Sequence, residues 1–309
     1  MRAKNGRELF YVEIPGVEAM TILKVGPSLK DNDVLWRYLP LDKFIDLVES
    51  KTLFFAPLAW FSKTDPFEGY APQVAINAMA SVSKKFRDQQ LEAINQVESN
   101  IPQGVSPQEL QKIKMQLQQL RKNAESHLPT MREIFKNISA CTMVNCWYKS
   151  DHESEGMWGL YSKGGVAIRT SVGALRRALN QGEEAPVIHI GSIKYLDFSD
   201  PNLKPSDCVT EDGQMIGMIK RIAYAHEKEV RMYIARERAG DSLDLLAPES
   251  TRVSVNVQGM LESVVISPFA GEAIERSVRA VCRWSGVSES IVSRSNLLDN
   301  CEFLLDAYE

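Results

Sequence analysis

The stretch VLWRYLPLDKFIDLVESKTLFFA, residues 34–56, indicates the fold class, because its pattern changes about every ten residues. Val34–Leu39 has the pattern of a strand, Leu41–Ser50 has apolar residues at the spacing of an amphipathic helix, and Thr52–Ala56 returns to a strand pattern. Such alternation is typical of helices packed against a sheet. The stretch therefore predicts a domain that mixes strands and helices.

The rest of the chain repeats this mixture. Strand patterns occur at Leu9–Ile14, Ser139–Tyr148, Gly165–Ile168, Val187–Phe198, Glu229–Ala235, Val253–Val257, Ser263–Ser267 and Glu289–Val292. Helical patterns occur at Glu153–Tyr161, in a segment that ends at Asn180, at Gln214–Ala225 and at Ala270–Trp284. We therefore expect an α+β fold, a single mixed-sheet domain over residues 34–309, preceded by an N-terminal extension of residues 1–33.

Residues 73–136 differ from this background and predict an inserted helical hairpin. The segment is rich in Gln, Lys, Glu and Ala, and it is broken at Pro102–Pro107 and again at Pro129. Its second arm carries an apolar stripe that could pack on Phe86, Ile94 and Val97 of the first arm: Leu110, Ile113, Leu117, Leu120 and Ala124. Two heptads are too few to argue for a coiled coil, so we favour a core-capping insertion over a dimerising arm. A homodimer through the hairpin remains the alternative.

Composition excludes several classes of protein. The chain has 309 residues and a net charge of −4, so it offers no basic field for non-specific binding of nucleic acid or anionic membranes. No apolar run approaches the roughly 20 residues of a membrane span. The five cysteines are odd in number and contain no CxxC pair, which favours reduced thiols. These features predict a cytoplasmic protein that does not contact membranes.

Glu227–Ile234, EKEVRMYI, is the most informative stretch for function. Period-2 geometry places Val230, Met232 and Ile234 on one face of a strand, and Glu227, Glu229, Arg231 and Tyr233 on the other. A polar face of this kind lines a cleft or an ion network in a central strand, whereas on an edge strand it is solvated.

Arg37 has large neighbours in its own strand, so its guanidinium needs an anion, either a ligand or an internal carboxylate such as Asp65, Glu68 or Glu229. Asp65–Gly69, DPFEG, has first of all the chemistry of a turn. His152 precedes a helix on which Trp158 falls on the apolar face, and each of the two fits either a structural role or a ligand contact. HExxH is absent, because Gly156 stands where the second histidine would be, and we expect no metal site.

Five patterns, in their order and spacing, resemble the uncharacterised bacterial and phage family known as domain of unknown function twenty-nine seventy-one. The patterns are Leu35-Trp36-Arg37-Tyr38, Thr64–Gly69, Cys146-Trp147-Tyr148, His152–Trp158 with Tyr161, and Glu227–Arg231. The resemblance covers roughly Val34 to Ser267. The family supplies no settled activity, and we expect the protein to act in phage defence or mobile-element biology.

More distantly, the arrangement resembles that of mono-ADP-ribosyltransferases. That resemblance implies that Arg37 anchors NAD, that Ser62 steadies its nicotinamide half, and that Glu229 stabilises the oxocarbenium-like transition state. Glu227 would then activate an acceptor nucleophile. We expect Arg37 and Glu229 to reach one cleft, with three further cofactor contacts from His152, Trp158 and Tyr233. The implied reaction is NAD-dependent ADP-ribosyl transfer to a protein or nucleic acid, or NAD hydrolysis.

Two alternatives belong to other classes of function. The first is a non-enzymatic sensor or interaction module, in which the charged strand face and the aromatic segments bind a protein or a nucleotide-like small molecule without turnover. The second is an Mg²⁺-dependent nuclease that would use Asp65, Glu68, Glu227 and Glu229, and it requires these carboxylates to converge. The spatial relation of Arg37, Ser62, His152 and Glu229 separates the three hypotheses.

Overall fold

A mixed sheet of ten strands is the centre of the fold in the computed structural model, which describes residues 23–179, 186–235 and 247–300. Its strands are β1 (Leu23–Val25), β2 (Val34–Leu39), β3 (Thr52–Pro57), β4 (Thr142–Lys149), β5 (Val166–Ser171), β6 (Ile188–Ser192), β9 (Glu229–Ala235), β10 (Thr251–Ser254), β11 (Ser263–Ile266) and β12 (Val292–Arg294). The short strands β7 (Lys194–Leu196) and β8 (Ile219–Arg221) pair in parallel as a separate two-stranded sheet.

The main sheet has the order β1-β6-β9-β4-β2-β5-β11-β12, and it forks at β4. One edge of β4 pairs with β9 along its whole length. On its other edge, the end of β4 at Tyr148 pairs with β2, and the beginning at Met143 pairs with β3, which in turn pairs with β10. Strand β9 is therefore interior to the sheet, between β4 and β6.

The helices are α1 (Leu41–Ser50), α2 (Gln73–Ser99), α3 (Pro107–Cys141), α4 (Glu155–Tyr161), α5 (Val172–Leu179), α6 (Val257–Met260) and α7 (Glu272–Ser285). Short 3-10 helices occupy Leu58–Lys63, Pro205–Cys208, Ile222–Glu227 and Glu289–Ile291. Apolar residues of α1, α5, α6 and α7 share one buried cluster with Leu35, Val230 and Met232 of the sheet. We call this side of the sheet the core face, and α4 packs on the opposite face, against Trp36 and Tyr148.

Helices α2 and α3 form the inserted hairpin that the sequence predicts. Helix α3 begins at a capping box made by Ser106 and Glu109 and continues through Pro129, where the sequence predicted a break. The two arms pack through one small apolar cluster: Leu91, Ile94, Ile101, Ile113, Leu117 and Ala124. The prediction that Val97 packs on the second arm is wrong, since Val97 is 55% exposed, whereas Phe86 is half-exposed and meets the second arm through the ring of His127.

The fold class is confirmed as a single α+β domain, and several element boundaries are corrected. The helix predicted over Gln214–Ala225 is wrong, because Gly217 has a left-handed φ of 76° and the chain then forms β8 and a 3-10 helix. The strand predicted over Val187–Phe198 is divided at Ile193 between two sheets. The strand predicted at Leu9–Ile14 lies outside the described residues.

The predicted boundary between residues 33 and 34 falls between two strands of one sheet. Strand β1, residues 23–25, pairs in parallel with β6 and forms an edge of the main sheet. Residues 23–33 therefore belong structurally to the domain. In the described ranges, no helix has both the length and the hydropathy needed to cross a membrane.

Candidate functional site

The polar face of β9 is buried rather than solvated. Glu229 and Arg231 are only 5% and 2% exposed, whereas their strand neighbours Val230 and Met232 point to the core face. Because β9 is an interior strand, its polar face meets other chain segments instead of water. For a polar face on a central strand we expected either a cleft or an ion network. The structure shows an ion network.

Arg231 lies at the centre of this network. Its Nε donates to Glu229 Oε1 at 2.7 Å, and its Nη1 donates to Glu68 Oε1 at 2.8 Å and to the carbonyl oxygen of Gly217 at 2.6 Å. A buried guanidinium is stabilised only where its donors meet acceptors in good geometry. These contacts supply such acceptors from three separate segments of the chain.

Lys220 is the second cation of the network. Its Nζ lies 2.5 Å from Glu227 Oε2, 3.2 Å from Glu229 Oε2 and 3.7 Å from Glu68 Oε2. Together with Arg231, these residues form a buried group of three carboxylates and two cations, which we call the ion cluster. Its formal charge is −1.

Local backbone geometry brings the members of the ion cluster together. The Asp65–Gly69 segment forms the turn that the sequence predicts: the backbone N–H of Phe67 donates to Asp65 Oδ1 at 3.0 Å, and Gly69 has a φ of 81°. This turn directs Glu68 inward. Lys228 adopts a left-handed φ of 37° between Glu227 and Glu229.

The placement of Glu227 on the β9 strand face is wrong. Glu227 is the last residue of the 3-10 helix Ile222–Glu227, and the left-handed Lys228 separates it from the strand. Its carboxylate nevertheless reaches that of Glu229, because both bind Lys220.

Two tyrosines enclose the ion cluster. Tyr161 donates its hydroxyl to Glu227 Oε1 at 2.8 Å, and the hydroxyl of Tyr195 accepts from the backbone N–H of Glu229 at 2.8 Å. Burial, followed by the charge of Glu227, raises the pKa of Tyr161. Burial also raises the pKa of Tyr195. Both tyrosines are therefore neutral hydrogen-bonding groups at physiological pH.

The charges of the ion cluster stabilise one another. Burial alone would raise the pKa of Glu229, but Arg231 and Lys220 outweigh it and lower this pKa to about 2. Burial alone would lower the pKa of Lys220, but Glu229, Glu227 and Glu68 raise it above its ordinary value. Burial raises the pKa of the neighbouring Cys146 thiol, which is therefore protonated. Near neutral pH neither Glu229 nor Lys220 is poised to exchange a proton.

Arg37 and Glu229 lie on opposite sides of the sheet, so the prediction that they share a cleft is wrong. Trp36 pairs directly with Tyr148, and Tyr148 pairs directly with Glu229, so these three side chains share a face. Arg37 follows Trp36 in the same strand and points to the other face.

The surroundings of Arg37 contain no carboxylate at ion-pair distance within the described part of the chain. Its guanidinium lies 5.9 Å from the centre of the Trp147 ring. Burial lowers its pKa to about 10, which still leaves it charged at neutral pH. The internal ion pairs with Asp65, Glu68 or Glu229 that the sequence suggested are not formed.

Trp158 and His152 do not contact the ion cluster. Trp158 is fully buried, donates its Nε1–H to Glu153 Oε2 at 2.9 Å and packs edge-on against Tyr38. It is a core residue, and its predicted role as a cofactor contact is wrong. His152 is exposed, and its backbone N–H donates to Ser150 Oγ at 3.2 Å, so the structure supports a surface role.

Ser62 and Tyr233 also lie apart from Glu229. Ser62 is exposed in the 3-10 helix Leu58–Lys63 and donates its hydroxyl to the carbonyl of Ala59 at 2.8 Å. Tyr233 stacks on His189, with ring centres 5.1 Å apart, and lines a cavity of about 100 Å³ at the β6 side of the sheet. Of the seven predicted site residues, only Glu227 and Glu229 are brought into direct contact with a common partner.

A groove of about 380 Å³ lies beside the ion cluster. It is lined by Phe67, Leu196, Asp197, Phe198, Ser199, Arg221, Ile222 and Ala223. The rings of Phe67 and Phe198 meet edge to face at 5.9 Å, and the Arg221 guanidinium lies 4.8 Å from the centre of the Phe67 ring. Arg221 also donates to Asp65 Oδ1 at 2.7 Å.

Sequence reasoning missed Lys220, Tyr195 and this groove. Lys220 and Arg221 fell inside the wrongly predicted helix, and the two glycines that precede them, Gly213 and Gly217, were the available signal against a helix. Tyr195 and Phe198 carried no local signal, because their partners are distant in the sequence.

No group of three or more His, Cys, Asp or Glu side chains is arranged to hold a metal ion among the residues that the structure describes. Three carboxylates of the nuclease hypothesis do converge, but they surround Lys220 and Arg231, and the fourth, Asp65, pairs with Arg221. The site that the nuclease hypothesis requires is therefore not found there.

The chain matches no known family model, no curated protein and no solved structure. The resemblance to the family of unknown function stays a prediction from five sequence patterns, and the function has to be argued from the ion cluster and the groove.

Proposed function

We propose that the protein is a non-enzymatic binding module for a nucleotide-like small molecule, which docks in the groove lined by Phe67, Phe198 and Arg221. One observation carries the choice of a module over an enzyme: each of the six carboxylate oxygens of Glu68, Glu227 and Glu229 is already paired with Lys220, Arg231 or Tyr161.

A catalytic carboxylate needs a free face toward the substrate. Stabilising an oxocarbenium-like sugar requires an oxygen directed at the developing charge. In this protein the oxygens of Glu229 are directed at Arg231 and Lys220, and the side chain is 5% exposed. To release Glu229 for a substrate would take one carboxylate partner from each of the buried cations Arg231 and Lys220, which is strongly unfavourable.

The groove has the chemistry of a site for a flat aromatic ring. The rings of Phe67 and Phe198 lie at right angles in its lining, and Arg221 places a partly exposed guanidinium over the Phe67 ring. Purine, pyrimidine and nicotinamide rings stack on aromatic side chains regardless of their exact substituents. An Arg next to the stack adds a donor for a ring oxygen or a phosphate.

The ion cluster stabilises the walls of this groove. Phe67 precedes Glu68, and Arg221 follows Lys220, so two lining residues are adjacent in the chain to cluster members. Buried charge pairs fix the backbone at both positions. A site that is held in place before binding spends less free energy on ordering when the ligand arrives.

The test is equilibrium binding of adenosine, AMP and NAD to the purified protein by calorimetry, with nicotinamide release measured in parallel. We expect Phe67→Ala and Phe198→Ala to weaken binding by about 5- to 150-fold, since stacking of a base on an aromatic ring contributes about 1–3 kcal/mol. Trp284→Ala is the matched control, because Trp284 is 72% exposed on α7 and does not line the groove.

Two outcomes would contradict the proposal. If none of the three compounds binds at millimolar concentration, the ligand is not nucleotide-like. If the wild type releases nicotinamide and Glu229→Gln does not, the protein is an NAD-consuming enzyme. NAD as substrate, a protein or nucleic-acid acceptor, a role in phage defence and a cytoplasmic location all stay predictions.

A further inference from the structure

One side of helix α2 carries apolar residues that stay about half or more exposed in the described part of the chain. Val82, Phe86 and Val97 are 68%, 48% and 55% exposed, and Ala93 is exposed between them. At about 100° per residue, these four side chains fall within about 60° of one another around the helix axis. They form a stripe about 22 Å long, interrupted at its centre by Gln89 and Gln90, which we call the outer stripe.

The outer stripe is separate from the surface by which α2 packs on α3. On α2 the packing surface uses Leu91 and Ile94, which lie about 150° and 90° around the helix from the middle of the outer stripe, and Ile101 follows just beyond the end of the helix. The ring of His127 on α3 lies 5.3 Å from that of Phe86 and borders the outer stripe. Leu120, seven residues before His127 and 53% exposed, lies on the same side of α3 and widens the apolar surface.

The outer stripe is self-complementary about its midpoint, which falls between Gln89 and Gln90. Val82 and Val97 are equally far from this midpoint, and so are Phe86 and Ala93. A two-fold axis at the midpoint would place Val82 against Val97 of a second copy, and the large Phe86 against the small Ala93. Pairs of large and small residues are what interdigitated helix packing requires.

The charges along the outer stripe also favour a second copy. The outer stripe carries no charged side chain, and the uncharged amides of Gln89 and Gln90 occupy its centre. Lys85 and Glu92 lie on one flank, about 20° apart around the helix. The same two-fold axis brings Lys85 of one copy to within about one helical turn of Glu92 of the other. Opposite charges then face each other across the contact on that flank.

From this symmetry we infer that two copies of the chain associate through antiparallel pairing of their α2 helices, with the two-fold axis between Gln89 and Gln90. The interface is isologous, so every contact occurs twice. A contact made mainly by one pair of helices lies at the lower end of interface sizes, below roughly 1,200 Å². We therefore expect a dissociation constant of roughly 1 to 100 µM.

The first test is sedimentation equilibrium of the full chain from 1 to 300 µM. We expect a monomer–dimer equilibrium in the wild type and at least a tenfold weaker dimer for Phe86→Asp. Met115→Asp is the matched control: Met115 is 65% exposed but points away from the outer stripe, so its dimer should be unchanged. A wild type that remains monomeric up to 300 µM overturns the inference. The outer stripe would then be a candidate binding surface for a different protein.

Charge reversal provides a second test that keeps the apolar contacts intact. Lys85→Glu should weaken the dimer, because it places two acidic side chains together across the axis. Glu92→Lys should weaken it because it places two basic side chains together there. The double variant should recover wild-type association. If the double variant is as weak as the single ones, the proposed register is wrong.

Cross-linking tests the position of the axis. Gln89→Cys places thiols from the two copies next to each other at the axis, so mild oxidation should yield a covalent dimer. Val82→Cys is the control, since the two copies of residue 82 would lie about 22 Å apart. Covalent dimers of Val82→Cys but not of Gln89→Cys would overturn the antiparallel arrangement.

Discussion

From Glu229 to Met232, both faces of strand β9 are buried, but they are stabilised in different ways. On the core face, Val230 and Met232 are 0% exposed and pack among aliphatic side chains. On the opposite face, Glu229 and Arg231 are almost as inaccessible, yet their neighbours are carboxylates, cations and tyrosine hydroxyls. Burial alone therefore does not distinguish a hydrophobic core from a polar cluster. The partners of each buried side chain make the distinction.

The difference has a thermodynamic consequence. Apolar burial is favourable in proportion to the area removed from water and does not depend on pH. A buried ion cluster is favourable only while every charge keeps its partner, because each ion has lost its hydration. The core face should thus tolerate changes of size better than the cluster tolerates loss of a charge.

Arg231→Met should have the largest effect on stability. The substitution keeps an unbranched side chain but leaves Glu68 and Glu229 with Lys220 as their one remaining cation in the cluster, and losing one partner of a buried pair costs about 3–5 kcal/mol. Urea unfolding at pH 7 measures the change. Met232→Ala, the next residue on the other face, is the comparison and should cost about 2–5 kcal/mol through the cavity that it leaves.

A triple variant separates the two causes. If unpaired charge is the reason for the loss, adding Glu68→Gln and Glu229→Gln to Arg231→Met should restore part of the stability. A triple variant that is less stable than Arg231→Met would show that packing around the guanidinium matters more than its charge.

The acid limb of the stability curve should depend on Glu229. Its pKa is about 2 in the folded protein against an ordinary value of 4.5, so its contribution of about 3 kcal/mol is present above pH 4.5 and is lost as the pH falls toward 2. The free energy of unfolding of wild type and Glu229→Gln, measured from pH 7 to pH 2, should therefore converge at low pH.

Other carboxyl groups do not confuse this comparison. Asp33 and Glu275 also have lowered pKa values, through their hydrogen bonds to Lys149 and Arg279, but they are unchanged in both proteins. A constant difference between wild type and Glu229→Gln across the whole range would contradict the ionic account of the cluster.

Tyr161→Phe should have the smallest effect. The substitution removes one hydrogen bond to Glu227, at the more exposed edge of the ion cluster, and should cost about 0.5–1.5 kcal/mol. Thermal unfolding followed by circular dichroism measures it. A loss as large as that of Arg231→Met would mean that the tyrosine is part of the cluster's centre rather than its edge.

Local patterns were sufficient for elements whose contacts are local. The predicted ranges of β2 and α1 agree with the structure, because Val34–Leu39 and Leu41–Ser50 carry unambiguous periodicity. The hairpin was also predictable, since its composition differs from its surroundings. Within the helix predicted over Gln214–Ala225, residues 219–221 were mispredicted because β8 exists only through its pairing with β7, which the local pattern does not record.

The candidate site was predictable only in part, for the same reason. Glu229 and Arg231 were identified from their alternation along one strand, but the ion cluster also needs Glu68 and Lys220, which reach it from other segments. Arg37 was assigned to the same cleft because its residue type suits an anion. The side of the sheet on which Arg37 lies follows from the pairing of β2 with β4 and of β4 with β9. These registers cannot be read from the local sequence of β2.

The connectivity of the ion cluster has a kinetic consequence. Glu229 and Arg231 are neighbours on one strand, but Glu68 joins Arg231 across 163 positions, a span that includes the whole α2–α3 hairpin. Closing such a long loop costs chain entropy that only a nearly complete structure can offset. We expect the Glu68 contact to form after the folding transition state, so that Glu68→Gln accelerates unfolding and leaves the refolding rate almost unchanged.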